Sequence, residues 1–381
     1  MAYEFSAMSL TTTRLDMLAG LDADLADAER VGRQCEIDLS DTAIAGSASP
    51  SAVRLDPASV LVVSNLLVGR YRSVPIRLTL PSNAGLTRQL ARGGLFFALS
   101  NRQVQWAGHA PATWAQDRAR WQRPFHPCDS SASREMFPRG AADANQSWVA
   151  AYQRYLFSVV QPHKRPARTL REDLRRIAVR WLTSRLDDEH KRAYVSTMSD
   201  VAEAFYELTV NIPDHAELKD RDSGLSLAQI SVTSGGGEAS HNRVQLAILD
   251  NGIGLARKVQ RQYLDSERSA TDAVRDAVTG ALPRRDGGRG VGLSSVRHIA
   301  QEFEQGDRSV GGKSLMRIIT GGDDKSSATD LSWPSDEGDP SMRTVEGLPI
   351  EGTIAWVSLG LGADPSVAPT DEAPRRLALG V

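Results

Sequence analysis

The chain has 381 residues, which at roughly 100–200 residues per domain predicts two or three domains. Hydrophobic residues make up 41% and charged residues 24%, enough apolar material for ordinary cores. A net charge of −2 and a pI near 6.4 exclude a bulk electrostatic case for nucleic acid or an anionic membrane.

Cys35 and Cys128, the two cysteines, have neither metal-ligand spacing nor a disulfide framework, so plain reduced thiols are expected. Met1 to Leu25 lacks a basic segment followed by a long apolar core, and no apolar run approaches the about 20 residues of a membrane helix. A soluble, cytoplasmic protein is expected.

Residues 1–33 are polar, with acids spaced through Leu15 to Arg30, and predict a short helix or a poorly ordered lead-in. Residues 34–110 predict a small α/β unit. Gln34 to Ser40 alternates like a strand, and Pro57 to Tyr71 reads as a helix with Asp56 and Pro57 at its start. Pro75 to Pro81 has the apolar run of a buried strand. Asn83 is placed to cap a helix over Ala84 to Arg92, and Gly93-Gly94 separates it from a second apolar piece, Leu95 to Leu99. This strand–helix–strand–helix order resembles STAS domains of the anti-sigma-antagonist type. In that family a phosphorylatable Ser follows an Asp just before the first main helix. Here Ala43 to Val53 and Arg54-Leu-Asp-Pro carry no clear Asp-Ser pair, which predicts a docking domain without that switch.

Residues 111–165 read as an irregular connector. Across 105–165, Trp106, Trp114, Trp121 and Trp148 are scattered among Pro, Ser and Arg, as packing anchors or as a partner surface. Ser147 to Val160 looks helical, and Gln161 to Pro166 looks like a linker. Thr169 to Arg185 is an amphipathic helix with a Thr169–Glu172 capping box.

A second helix from about Asp188 carries Glu207 and Asn211. Four residues is about one turn, so both side chains project from one face. The helix should end near Pro213. Leu225 to Val232 and Arg243 to Leu249 predict an antiparallel hairpin that runs into Asp250-Asn-Gly252-Ile-Gly254. A helix is expected over Ala270 to Val278. Gly288, Gly290 and Gly292 then form an alternating glycine loop leading into Leu293 and the apolar helix Ser294 to Phe303. Leu315 to Ile319 and Ile354 to Leu359 are two further strands. The Asp-, Ser-, Gly- and Pro-rich span Gly321 to Gly347 between them reads as an extended surface loop, and 363–381 as a disordered tail.

Chemically, Asp250 stands at a strand end, as a hydrogen-bond acceptor for a ligand or as a turn-stabilising Asp. Gly252 and Gly254 allow close backbone approach or positive φ. The alternating glycines leave N–H groups free for phosphate at a helix start, or serve as a hinge. Arg289 adds a phosphate contact or a solvated charge. Asn211 offers an amide oxygen to a cation, and Glu207 is a candidate general base or a surface acid.

In this order these stretches, with Glu351-Gly352-Thr353, resemble the N box and three G boxes of the gyrase/chaperone/histidine-kinase/MutL (GHKL) ATPase superfamily, over roughly residues 165–362. The resemblance implies an α/β fold: a Bergerat-type α/β sandwich over 166–362, preceded by the small STAS-like α/β domain over 34–110. It implies ATP and Mg²⁺ as cofactors, with Asp250 accepting from the adenine amino group, Thr353 lining its pocket, and Gly252, Gly254, Gly288, Gly290, Gly292 and Leu293 also against the nucleotide. Asn211 would ligate Mg²⁺, Glu207 would be catalytic, and His215 would close the N box as a helix cap or a phosphate neighbour.

The chain departs from the pattern at Ile212-Pro213 and in the 33 residues between Gly254 and Gly288. His163 and His190 are poorly placed as phospho-acceptors, which sets aside a sensor histidine kinase. An ATP-binding regulatory protein is therefore expected, acting by slow hydrolysis or by phosphoryl transfer to a protein Ser/Thr. The alternative is a non-catalytic ATP-dependent switch. The expected partner is a regulatory protein, STAS-type or effector, with homodimerisation left open.

Overall fold

The computed structural model describes residues 15–46, 55–71, 73–92, 95–99, 104–108, 153–155, 199–208, 226–234, 241–263, 267–282, 292–306, 314–324, 326–334 and 340–363, with 10, 53 and 211. The expectations for Cys128, His163, His190, His215, Arg289, Trp114, Trp121, Trp148, the 161–166 linker, the helix over 169–185 and the C-terminal tail after Ala363 lie outside these residues. Among the described residues no helix is long and apolar enough to cross a membrane.

Residues 15–31 contribute to the core. A 3-10 turn at Leu15–Leu18 leads into α1 (Ala19–Val31), whose Leu21, Leu25 and Ala28 recur at helical spacing and are buried. Gly32 stops the helix in the left-handed conformation at φ 65°, its N–H returned to the Ala28 and Glu29 carbonyls. Of the two alternatives for this stretch, residues 19–31 form the helix, packed because Leu15, Leu18, Leu21 and Leu25 form one apolar stripe.

Three short parallel strands follow in the order β1 (Cys35–Asp38), β2 (Ile76–Thr79), β3 (Val104–Ala107). Between them lie α2 (Asp41–Ala45), α3 (Pro57–Val68), α4 (Ala84–Arg92) and α5 (Leu95–Ala98). Asn83 caps α4 as its position predicts, its Oδ1 accepting from the Gly85 and Leu86 amides at 2.8 and 3.1 Å. Trp106 packs edge-on against Phe96, ring centroids 6.1 Å apart, so this tryptophan is a packing anchor.

The second sheet is antiparallel and seven-stranded. Its strands are β4 (Gln153–Tyr155), β5 (Ser226–Ser234), β6 (His241–Asp250), β7 (Leu315–Gly321), β8 (Ser327–Pro334), β9 (Ser341–Glu346) and β10 (Thr353–Ala363), in the order β4-β5-β6-β10-β7-β8-β9. The last strand is thereby central, between β6 and β7.

Side-chain alternation gives this sheet two apolar faces. Leu246, Ile248, Ile318, Leu331, Ala355 and Val357 face the helix over 199–208 (α6), α7 (Leu255–Gln262), α8 (Ala270–Thr279) and α9 (Gly292–Gly306). Ala247, Leu249, Ile319, Ala328, Ile354 and Trp356 face the N-terminal unit in one continuous core. Helix α3 explains that continuity. Its sequence is apolar nearly all round, and a helix of that kind must be covered on every side. Asp56 caps it, accepting from the Ser59 amide at 3.0 Å, with Pro57 in the first turn.

Two sequence expectations are overturned. Gly321 to Gly347 is not an extended loop but holds the β8–β9 hairpin, paired to β7. β8 escapes an apolar reading because it buries Thr329 and Asp330, and Asp330 is neutralised by Arg317 through two bonds of 2.9 Å. Arg343 adds a third bond at 2.8 Å, and Asp56 lies 3.5 Å from Arg317. The helix expected over Ser147 to Val160 likewise contains strand β4, drawn into the sheet by pairing with β5.

Candidate functional site

The glycine turn after β6 and the start of β10 form the first cluster. Asp250 ends β6 directly opposite Thr353 of β10, and Thr353 is opposite Thr320 of β7, itself opposite Thr329 of β8. Residues opposite one another in an antiparallel sheet share a face. These four therefore form a polar ledge at one end of the face that carries α6–α9. Asp250, Thr320 and Thr329 are buried, and Thr353 is half-buried.

Asp250 is 4% exposed, and its carboxylate accepts from the Gly252 amide at 2.9 Å and from the Thr353 amide. Burial pushes its pKa up to about 7, against the downward pull of those two N–H groups. The Gly252 contact is the turn-stabilising interaction that an Asp before Asn-Gly predicts, so the carboxylate serves the turn while presenting a buried acceptor.

Gly254 has φ 84°, and a Cβ there would lie 2.8 Å from Thr320 Oγ1 and 2.9 Å from the Gly352 carbonyl oxygen. Gly352, φ 78°, is tighter, because a side chain would collide with both the backbone and the carboxylate of Asp250. Glycine at 252 has a different use from that of 254, since it supplies the N–H to Asp250.

Helix α7 begins in this turn without a cap of its own. The hydroxyls of Thr320 and Thr353 each accept from the Leu255 amide at 3.0 Å, so two strands cap the helix. Thr320 also donates to the Gly352 carbonyl at 2.8 Å. Sequence reasoning missed Thr320. The one available signal is its place at the end of an apolar strand, just before Gly321-Gly322.

The second cluster joins α6 to α9. Glu207 and Asn211 lie one turn apart, and the Asn211 amide nitrogen donates to the Glu207 carbonyl at 2.7 Å. That bond fixes the amide and leaves its oxygen as the acceptor end. At the head of the 15-residue α9, a Cβ on Gly292 would sit 2.8 Å from Glu207 Oε2 and about 3.7 Å from the Asn211 amide oxygen. The first glycine of α9, the acid and the amide thus converge, with backbone closer to Glu207 than any side chain would permit. Leu293, expected at the ligand, is half-buried and packs against the helix-side core. Gly288 and Gly290 lie outside the described residues.

Both clusters occupy the same face of the sheet. Among the described residues no three His, Cys, Asp or Glu side chains converge as a metal cage. A cation held by Asn211 would take its other ligands from water and phosphate, which is the habit of Mg²⁺. Compared with protein families, curated proteins and solved structures, the chain shows no match.

Proposed function

We propose that the chain is an ATP-binding regulatory protein with a Bergerat-type nucleotide domain and a STAS-like N-terminal unit. The observation that carries this reading is the convergence of Glu207 and Asn211 on Gly292, on the sheet face that also bears Asp250 and Thr353. A glycine that leaves no room for a methyl beside an acid and an amide, at a helix start, suits a phosphate end. The buried acceptor and hydroxyl of the ledge suit a base end.

At the base end, the Asp250 carboxylate accepts from an exocyclic amine. The Thr353 hydroxyl, which already accepts from Leu255, retains its own proton to donate. An acceptor beside a donor complements the adenine edge, which shows an amine next to a ring-nitrogen acceptor. It opposes guanine, whose carbonyl would meet the carboxylate. At the phosphate end, Asn211 offers its amide oxygen to Mg²⁺, and the opening amides of α9 favour negative charge.

Bound Mg-ATP supplies the transferable phosphoryl group. Glu207 takes the proton from an attacking water, or from the hydroxyl of a partner Ser or Thr, as the new oxygen–phosphorus bond forms and ADP leaves. The partner this reading implies is a regulatory protein, STAS-type or effector.

Affinity and single-turnover hydrolysis, measured for wild type, Asp250→Ala and Glu207→Gln, test the reading. Asp250→Ala should weaken ATP binding to the level that the phosphate end gives alone. Glu207→Gln should bind as wild type but turn over about 10²–10⁴-fold more slowly. Binding without turnover in wild type would leave an ATP-dependent switch, and no binding would overturn the proposal.

A further inference from the structure

Helix α3 lies against β6 and β10, the two strands that end and begin at the base-end cluster. Its polar residues behave differently from one another. Ser59 bonds back to the Asp56 cap, and Ser64 donates to the Val60 carbonyl of its own helix at 2.9 Å. Asn65, 2% exposed, reaches out of the helix. Its amide nitrogen donates to the Glu351 carbonyl at 2.7 Å and, more weakly, to the Asp250 carbonyl at 3.4 Å. A buried amide is costly unless bonded, and this one is satisfied by two chain segments far from it in sequence.

Those segments are the ones that matter for the base end. Asp250 carries the acceptor, and Glu351 precedes the Gly352 turn from which Thr353 starts β10. One helical turn beyond Asn65, the same helix end is fitted to the same segment: a Cβ on Gly69 would lie 3.2 Å from Glu351 Oε2.

We propose that Asn65 is a positioning residue of the nucleotide site. It holds the end of β6 and the Gly352 turn at the spacing at which the Asp250 carboxylate and the Thr353 hydroxyl meet an adenine edge together. The N-terminal unit thereby sets base recognition from behind the sheet. The inference rests on the nucleotide reading above. Asn65 bonds to the base-end backbone and not to Glu207, Asn211 or Gly292, so its loss loosens base recognition and spares the phosphate end.

The test is calorimetric titration of the full chain with Mg-ATP, Mg-GTP and Mg-tripolyphosphate. Wild type is compared with Asn65→Ala, Asn65→Leu and, as a packing control on the same helix, Ser64→Ala. Losing the brace should weaken ATP about tenfold, shrink the ATP-over-GTP preference by the same factor and leave tripolyphosphate within about twofold. Ser64→Ala should leave all three ligands unchanged. A purely structural role would weaken ATP and tripolyphosphate together, or make Asn65→Leu match Ser64→Ala, and either result overturns the inference while the nucleotide reading stands. If wild type binds tripolyphosphate but not ATP, or neither, both fall. If the Asn65 variants do not fold, the side-chain amide resonance of Asn65 in wild type decides. Adenosine should shift it and tripolyphosphate should not, and no shift with adenosine overturns the inference.

Discussion

Asp250 is held by opposing influences: burial favours the neutral acid, while the Gly252 and Thr353 amides favour the carboxylate. With burial prevailing, the group titrates near pH 7, well above its ordinary 3.8. The sign of the stability effect follows. Folding favours the protonated form, so this contribution is fully present below about pH 4 and is lost as pH rises through 7, a change on the order of 4 kcal/mol. Asp250→Asn should flatten the pH dependence of thermal unfolding between pH 4 and 8. Binding has the opposite sign. An amine donor favours the ionised carboxylate, so ATP affinity should rise from pH 6 to 8 and level off, with proton release on binding near pH 7. Calorimetry in buffers of different ionisation enthalpy reads that release, and a proton count of zero near pH 7 would contradict the assignment.

At the scale of elements, the Arg317–Asp330 pair ties β7 to β8, with Asp56 of the α3 cap and Arg343 of β9 beside it. Both partners are nearly inaccessible, at 4% and 3% side-chain exposure. Removing one of a buried pair strands the other, so Asp330→Ala should cost about 3–5 kcal/mol in denaturant unfolding. Replacing both partners with apolar residues should cost far less, and equal costs would remove the pair from the account.

This pair also shows what sequence reading reaches. α3, α4, α8 and the β5–β6 hairpin were legible because caps, periodicity and a turn agreed locally. β8 was not, because its burial of Asp330 depends on an arginine on another strand, and a charge reads as surface until its partner is known. The leucines of residues 15–25 left a short helix and a poorly ordered lead-in both open for a related reason: spaced acids masked their stripe. Within the site, Asp250 and the Glu207–Asn211 spacing were legible as local patterns. Thr320 and Asn65 were not, since both act through backbone groups contributed by distant segments.

Across the whole molecule, one antiparallel sheet is covered on both sides, by α6–α9 on one face and by α3 and the N-terminal unit on the other. The candidate site lies on the first face, and Asn65 meets its backbone from the second. Through Asn65 the N-terminal unit bonds to the backbone at the end of β6 and just before β10. Calorimetric titration of the full chain at pH 8 with Mg-ATP and Mg-GTP, in wild type and Asp250→Ala, tests the central claim most directly. Wild type should bind ATP at least about tenfold more tightly than GTP, and Asp250→Ala should bind both equally weakly. Equal affinity for both nucleotides in wild type, or an ATP preference that survives Asp250→Ala, would contradict the account.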